Sequence, residues 1–212
     1  MKRTLTRADI DEMDDRYRVK FINSLPGFKS LNLIGTSDSS DQTNLCIVST
    51  VTHFGSNPPL IGYVSRPDSV DRHTLSNIRE MGCYSINHVS EEIYQQAHQT
   101  SARYRKEVSE FEATGLTPLW NDNKSIPFVA ESPISIALSL VDTVEIPVNG
   151  TILVLGEVTE VRLAELLISS DGTIDLEAAR TVSGSGLDGY FKTKKLARLS
   201  YAKPDKPVVE LD

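Results

Sequence analysis

Two long stretches of alternating residues, 132–146 and 150–163, follow each other closely and meet at an Asn149-Gly150 turn. Alternation with a period of two is typical of β-strands, and Asn-Gly is a preferred hairpin turn, so the two strands are expected to pair antiparallel. The pattern favours a mainly β fold, an antiparallel and at least partly closed β-barrel with short helical insertions, over a doubly wound α/β sheet. Further strands are predicted at 29–38, 43–54, 60–65 and 83–89.

The segments between these strands contain residues that begin or end helices and turns. Asn57, Pro58 and Pro59 predict a break between two strands. Asp71 is a candidate N-cap of a helix that ends at Gly82, where a left-handed C-terminal cap is suitable. A second short helix is expected to begin at a Ser90 cap.

Length and charge restrict the class of protein. The 212 residues are enough for one large core, and we expect a single domain over 1–212 with an N-terminal helical extension and a C-terminal tail. The net charge of −7 argues against nucleic acid or an anionic membrane as a partner. No apolar run approaches the roughly 18 residues of a membrane-spanning helix, and the N-terminus is charged, so we expect a cytoplasmic protein. Cys46 and Cys83 are expected to be buried free thiols.

Familiar catalytic and metal-binding patterns are absent from the sequence. It has no phosphate-loop lysine pattern, no G-x-S-x-G and no H-E-x-x-H, and its four histidines are scattered. The glycine-rich segment 183–189 does not follow a βαβ pattern, which favours a turning surface segment over a dinucleotide loop. We therefore predict no metal site and name no catalytic acid or base.

Hydroxyl and cationic side chains collect around the strand at 43–54 and the helix that follows it. Such groups, with the free N–H groups of a helix N-terminus, can bind a phosphate. The alternative is that these are ordinary strand residues and the side chains of a solvated loop. The residues concerned are Ser49, Thr50, Ser65, Arg66, Arg72, His73 and Thr74.

Two stretches, 43–89 and 97–118, resemble the flavin reductase-like proteins, which bind FMN on a split β-barrel. The common pattern comprises an Asn at a strand entry, a Ser-containing strand, a Pro-Pro-Leu break, a basic-x-Thr-x-x-Asn-Ile helix, a Gly-x-Tyr-x-Ile-Asn strand and a Ser-Glu-Phe…Gly-Leu-Thr segment. In this chain the pieces are Asn44, Ser49, 57–60, 72–78, 82–87 and 109–117. Segments 147–158 and 185–204 are similar to later parts of the family, so the resemblance covers about 30–204.

The resemblance implies a site for FMN. The strand around Ser49, Thr50, Val51 and Thr52 would line the isoalloxazine ring, with Asn44 near its pyrimidine end. The phosphate would be bound by Ser65, Arg66, Arg72, His73 and Thr74, and the flavin would also contact Thr100, Ser101 and Ala102 of the same or the neighbouring subunit of a homodimer. Many members have Lys-Asp-Thr at 72–74, so which of Arg66, Arg72 and His73 makes the main phosphate contact stays open.

The implied activity is that of an FMN-binding oxidoreductase of the flavin reductase type, with hydride passing from NAD(P)H through flavin N5. His98 and Tyr190 are candidates for the wall of a second-substrate site, although packing explains them equally well. Two alternatives stay open: a flavoredoxin-like electron carrier that does not oxidise NAD(P)H, and a non-enzymatic binding module. Whether flavin is a bound cofactor or a substrate is also open.

Overall fold

The computed structural model describes residues 1–67, 73–122 and 124–211. Its helices are α1 (Arg7–Asp11), α2 (Asp15–Ser24), α3 (His73–Met81), α4 (Tyr94–Gln99) and α5 (Glu110–Thr114), with a 3₁₀ turn at Glu165–Leu167. Its strands are β1 (Lys29–Ser30), β2 (Asn32–Ser37), β3 (Thr43–Val48), β4 (Thr52–Ser56), β5 (Pro59–Ser65), β6 (Cys83–His88), β7 (Pro118–Trp120), β8 (Pro127–Val129), β9 (Ile134–Ile146), β10 (Thr151–Leu163), β11 (Val182–Ser185), β12 (Gly189–Lys192), β13 (Arg198–Leu199) and β14 (Glu210–Leu211).

A seven-stranded antiparallel sheet dominates the structure and confirms the predicted mainly β class. Its strand order is β3-β2-β6-β9-β10-β5-β4. The two edge strands, β3 and β4, are consecutive in the chain and are joined only by residues 49–51. Because so short a connection cannot span a flat sheet of seven strands, the sheet must curve until its two edges lie side by side.

The predicted β9–β10 hairpin forms the long central pair of this sheet. The strands are in register from Thr151 opposite Ile146 to Leu163 opposite Ile134, with two irregularities. Gly150 has a φ of +69° and donates its N–H to the Ile146 carbonyl, so it closes the turn as expected. Inward residues such as Ile152 and Val154 are buried while their neighbours are not, which is the alternation seen in the sequence.

The curved sheet has a separate apolar cluster on each face. One cluster, under α3, includes Ile34, Leu75, Ile78 and Tyr84. The other lies under α4 and α5 and includes Leu33, Leu45, Ala97 and Phe111. The short helices therefore cover the two faces near β3, and this arrangement places their ends around that strand.

Three predicted elements differ from the structure. The strand expected at 43–54 is broken into β3 and β4, because the chain turns a corner at 49–51 to pass from one sheet edge to the other. The strand at 29–38 is interrupted at Leu31, because β1 pairs with β11 while β2 joins the main sheet. Ser90 does not cap a helix: it forms a bridge with Thr181, and α4 begins at Tyr94.

Other local predictions are confirmed. Gly82 follows α3 with a φ of +68°, as a left-handed C-cap requires. The proposed cap Asp71 lies outside the described residues. Segment 183–189 forms the β11–β12 hairpin, whose turn contains Gly186 at a φ of +63°. Cys46 and Cys83 form no disulfide in the described part of the chain, and they are half-buried where full burial was expected.

The two ends of the chain lie largely on the surface. Helices α1 and α2 bury no residue, and almost every side chain from 191 to 211 is exposed. None of the helices in the described part of the chain has both the length and the apolar composition needed to cross a bilayer.

Candidate functional site

The corner at residues 49–51 lies between the two edges of the curved sheet. The β3 ladder ends at Val48 and the β4 ladder begins at Thr52, so the intervening peptide groups belong to neither. Thr50 Oγ1 donates to the Val64 carbonyl at 2.9 Å and accepts from the Val64 N–H at 3.1 Å. The hydroxyl that was expected to face the flavin therefore attaches the corner to β5.

The residues predicted to bind phosphate lie at the end of β5 and the start of α3. Ser65, the last residue of β5, directly follows the Val64 to which Thr50 is bonded, and its hydroxyl makes a 3.3 Å hydrogen bond to the Arg66 carbonyl. The Arg66 side chain is exposed. His73 is the first residue of α3. Arg72, the third candidate cation, lies outside the described residues.

Asn44 and Thr74 are in direct contact. Thr74 Oγ1 lies 3.3 Å from both Asn44 Oδ1 and Cys46 Sγ, and its single proton can go to either acceptor. Asn44 is only 7% exposed and donates its amide N–H to Glu110 Oε2 at 3.1 Å. Both ends of the Asn44 side chain are thus used to join α3, β3 and α5.

Glu110 is a central residue of this network that the sequence did not single out. It is 7% exposed, and its Oε2 also accepts the Leu45 N–H at 2.9 Å. Burial raises the pKa of its carboxyl, while the Leu45 N–H, the nearby His73 and the Asn44 amide act in the opposite direction. A glutamate in the first turn of a short helix is usually solvent-exposed, so the sequence carried no signal of its burial.

Asn44, His73 and Glu110 also line one small polar pocket at the start of α3. The other lining residues are Asp38, Gln42, Thr43, Asn77, Lys106 and Val108. His73 and the buried Glu110 line the same pocket, so His73 has a carboxyl nearby within its own chain. Arg66 has no such neighbour among the described ion pairs.

The loop after α4 contacts β3 of its own chain. Thr100 is 3% exposed; its Oγ1 accepts the Ile47 N–H at 3.0 Å and donates to the Ala97 carbonyl at 2.8 Å. Ser101 and Ala102, which follow in a turn, are exposed. The loop is thus attached to β3 of its own chain through Thr100, and its predicted contact with a flavin of the same or the neighbouring subunit stays a prediction.

His98 and Tyr190 lie together near this loop. His98 Nδ1 and the Tyr190 hydroxyl are 2.9 Å apart, and the Tyr94 ring packs against Tyr190 with centroids 5.4 Å apart. Burial, followed by the effect of Asp188, raises the pKa of Tyr190 to about 12. The phenol therefore stays protonated at neutral pH and can donate a hydrogen bond to the imidazole.

Strand β3 and its corner connect all of the predicted segments. Asn44 and Cys46 contact the start of α3, Ile47 contacts the loop after α4, and Thr50 contacts the end of β5. The chain thus presents a corner whose peptide groups belong to neither strand ladder. The exposed Arg66 follows two residues after Val64, to which this corner is bonded. Such a set of groups fits a planar ring that accepts backbone hydrogen bonds and carries a phosphate.

Comparison with known proteins identifies the family and the fold. The family model for the flavin reductase like domain matches residues 26–173. A solved structure from Shewanella frigidimarina, of a suspected flavin reductase with a split barrel domain, is 50% identical, with a TM-score of 0.92 over 95% of this chain and 100% of that one.

Two more distant structures show the same fold. Nitrilotriacetate monooxygenase component B from Bacillus cereus has a TM-score of 0.82 at 20% identity, over 94% of this chain and 99% of that one. Flavoredoxin of Desulfovibrio vulgaris has a TM-score of 0.68 at 23% identity, over 84% and 92%. The sheet with its open seam between β3 and β4 is therefore a split barrel, and the chain belongs to the family defined by the flavin reductase like domain.

Proposed function

We propose that this protein is an FMN-binding oxidoreductase that takes hydride from NAD(P)H. The observation that carries the proposal is the convergence of three predicted flavin-contacting segments on β3 and its corner, inside the region matched by the family model. A bound flavin would supply the redox chemistry, because its N5 accepts and donates hydride.

The chain's own residues have two proposed roles: some contact the flavin, and others hold the contacting groups in place. We assign contacts with the ring edge to the peptide groups of 49–51, which belong to neither strand ladder. We assign the supporting role to Thr50, Thr74 and Thr100, whose hydroxyl protons are donated within the chain. Asn44 supports the site in the same way, between Thr74 and Glu110.

Arg66 is our candidate for the main phosphate contact among the described residues. It is exposed and follows β5 directly, whereas His73 shares a pocket with the Glu110 carboxyl. A guanidinium can form two parallel hydrogen bonds with a phosphate. Loss of a hydrogen bond to a charged group costs about 1.5–3 kcal/mol, so Arg66→Ala should weaken FMN binding about 10- to 150-fold.

The test combines a visible spectrum with a binding titration. Purified protein mixed with FMN should retain the flavin absorbance after gel filtration, and anaerobic NADH or NADPH should bleach it. Arg16→Ala, which removes an exposed arginine on α2, is the matched control and should leave the FMN dissociation constant unchanged. Protein that cannot bind FMN would refute the proposal.

A flavoredoxin-like electron carrier is the second candidate, supported by the fold shared with a flavoredoxin. Steady-state oxidation of NADH or NADPH with free flavin separates the two candidates, because a carrier binds FMN but does not catalyse this reaction. The non-enzymatic module requires that no flavin bind at all. The choice of FMN over FAD, the electron donor, the homodimer and the cytoplasmic location remain predictions.

A further inference from the structure

A cleft of about 240 Å³ lies on the outside of the barrel, between the β7–β8 pair and the adjoining ends of β9 and β10. Its walls are mostly apolar and include Leu119, Phe128, Val129, Pro133 and Leu163. None of the described residues that line it is among those predicted to contact the flavin. We call it the outer cleft.

Two polar side chains, Arg162 and Ser135, interrupt these apolar walls. They lie directly opposite each other in the β9–β10 pair, so both side chains are on one face of the sheet. Ser135 is only 4% exposed, yet its hydroxyl forms no hydrogen bond with another described residue. A buried hydroxyl without a partner is costly, so this position favours a ligand atom that can form a hydrogen bond.

Arg162 is fixed by its own chain but keeps donors for a ligand. Its guanidinium carbon lies 4.1 Å from the centroid of the Phe128 ring, and its Nε donates to Glu160 Oε1 at 2.5 Å. Its two Nη groups donate to no residue in the described part of the chain. A guanidinium held flat on an aromatic ring is pre-organised, and its Nη groups can bind both oxygens of a carboxylate.

Asn87 holds the wall of the outer cleft against the sheet. It is fully buried and lies opposite Ser135 on β6. Its Oδ1 accepts the Val129 N–H at 3.0 Å, and its amide donates to the Leu33 carbonyl at 3.2 Å and to Ser85 Oγ at 2.9 Å. These bonds attach β8 to β6 and β2, so the cleft is formed before any ligand enters, as small-molecule sites usually are.

The size of the outer cleft restricts its ligand. An apolar cavity of about 150 Å³ can hold benzene, so about 240 Å³ has room for a ring with one further polar group. Sites for drug-sized ligands measure about 300–1,000 Å³. The outer cleft is therefore too small for a flavin or a dinucleotide.

We propose that the outer cleft binds a small monocarboxylate with an apolar body. Its carboxylate would accept hydrogen bonds from the Arg162 Nη groups and the Ser135 hydroxyl, and its apolar body would lie against Leu119 and Leu163. The Glu160 carboxylate already occupies the Nε side of Arg162. Since like charges repel, it disfavours a ligand with a second anionic group.

The inference goes beyond the proposed function and does not depend on it. A protein that binds no flavin could still bind a carboxylate here, and a flavin-binding protein could fail to do so. The competing explanation is that Arg162 only covers the Phe128 ring. In that case its loss would lower stability, but wild type would bind no carboxylate in the cleft.

Isothermal titration calorimetry of the full-length protein with sodium benzoate tests the proposal. Benzoate should bind once per chain. Benzamide has nearly the same shape but no charge, and should bind about tenfold or more weakly because charge-assisted hydrogen bonds are lost. Acetate keeps the charge but lacks the apolar body, so it should also bind more weakly than benzoate.

Two variants and a matched control assign the contacts. Arg162→Gln should weaken benzoate binding about tenfold or more and change benzamide binding little. Ser135→Ala removes one oxygen from the site and should weaken benzoate binding severalfold, which also tests the site if Arg162→Gln does not fold. The control is Arg198→Gln: Arg198 is 34% exposed against 31% for Arg162, and it is also in an ion pair.

Further titrations separate the outer cleft from the flavin site. Arg66→Ala and saturating FMN should each leave the benzoate affinity unchanged, because their positions do not line the cleft. Benzoate that fails to bind wild type, or that binds no better than benzamide, would overturn the proposal. So would a benzoate affinity that falls in Arg66→Ala, or one that is the same in Arg162→Gln, Ser135→Ala and Arg198→Gln.

Discussion

Gly156 is a residue at which the interior of the barrel leaves no room for a side chain. An added Cβ would lie 2.5 Å from the Tyr84 hydroxyl oxygen and 3.0 Å from Leu138 Cβ. Gly156→Ala should therefore lower the free energy of unfolding by about 1–3 kcal/mol, as overpacking does. Urea unfolding followed by circular dichroism measures the change.

Tyr84→Phe provides the companion measurement. The Tyr84 hydroxyl is buried and has no hydrogen-bond partner among the described residues, so its removal should be neutral or stabilising. It should also recover part of the stability lost in Gly156→Ala, since the clashing oxygen is gone. A double variant no more stable than Gly156→Ala alone would show that Leu138 and not Tyr84 limits the space.

Glu110 makes a pH-dependent contribution whose sign follows from its environment. Burial raises its pKa, so the folded state binds this proton more tightly than the unfolded state does. The contribution of Glu110 to stability is therefore greatest below the pKa of the unfolded chain, about 4.3, and is lost as pH rises through the raised native value.

Glu110→Gln tests this sign. The glutamine oxygen can still accept the Leu45 and Asn44 N–H groups, but the side chain no longer titrates. The unfolding free energy of wild type relative to Glu110→Gln should fall as pH rises from about 4 toward neutrality. Glu112→Gln, at an exposed position of the same helix, is the matched control. An unfolding free energy of wild type that rises with pH relative to Glu110→Gln would contradict the assignment.

At the scale of elements, the corner between β3 and β4 is held by a side chain in place of a strand ladder. Thr50 makes two hydrogen bonds to the backbone of Val64. Thr50→Val should cost about 1–2 kcal/mol of unfolding free energy and should speed hydrogen exchange at the Val64 amide. Thr50→Ser keeps the hydroxyl and should stay near wild type; equal exchange in both variants would exclude this role.

The elements also show what the sequence could and could not predict. The β9–β10 hairpin and the Gly82 cap were predictable because alternation and left-handed glycine are local properties. The corner was not predictable, because the β-branched residues Thr50, Val51 and Thr52 favour a continuous strand, and only the closure of the sheet breaks it. Glu110 and the Ser90 bridge were missed for a related reason, since their partners lie 65 and 91 residues away in β3 and in Thr181.

At the scale of the whole molecule, β3 connects the two faces of the barrel to the candidate site. Its Cys46 and Asn44 side chains contact α3, while the Ile47 N–H contacts the loop after α4. A ligand at the corner would therefore be linked to both apolar clusters through one strand. Binding there should stabilise the entire fold, because the unfolded chain has no assembled corner to bind it.

FMN should accordingly raise the free energy of unfolding by about 2.7 kcal/mol at a free concentration 100 times its dissociation constant. Riboflavin at the same concentration should stabilise less, because it lacks the phosphate assigned to Arg66. In Arg66→Ala the advantage of FMN over riboflavin should shrink, while stabilisation by riboflavin should persist. Urea unfolding at matched ligand concentrations measures the stabilisation by FMN and by riboflavin in both wild type and Arg66→Ala. Equal stabilisation of wild type by both ligands would rule out a phosphate contact at Arg66.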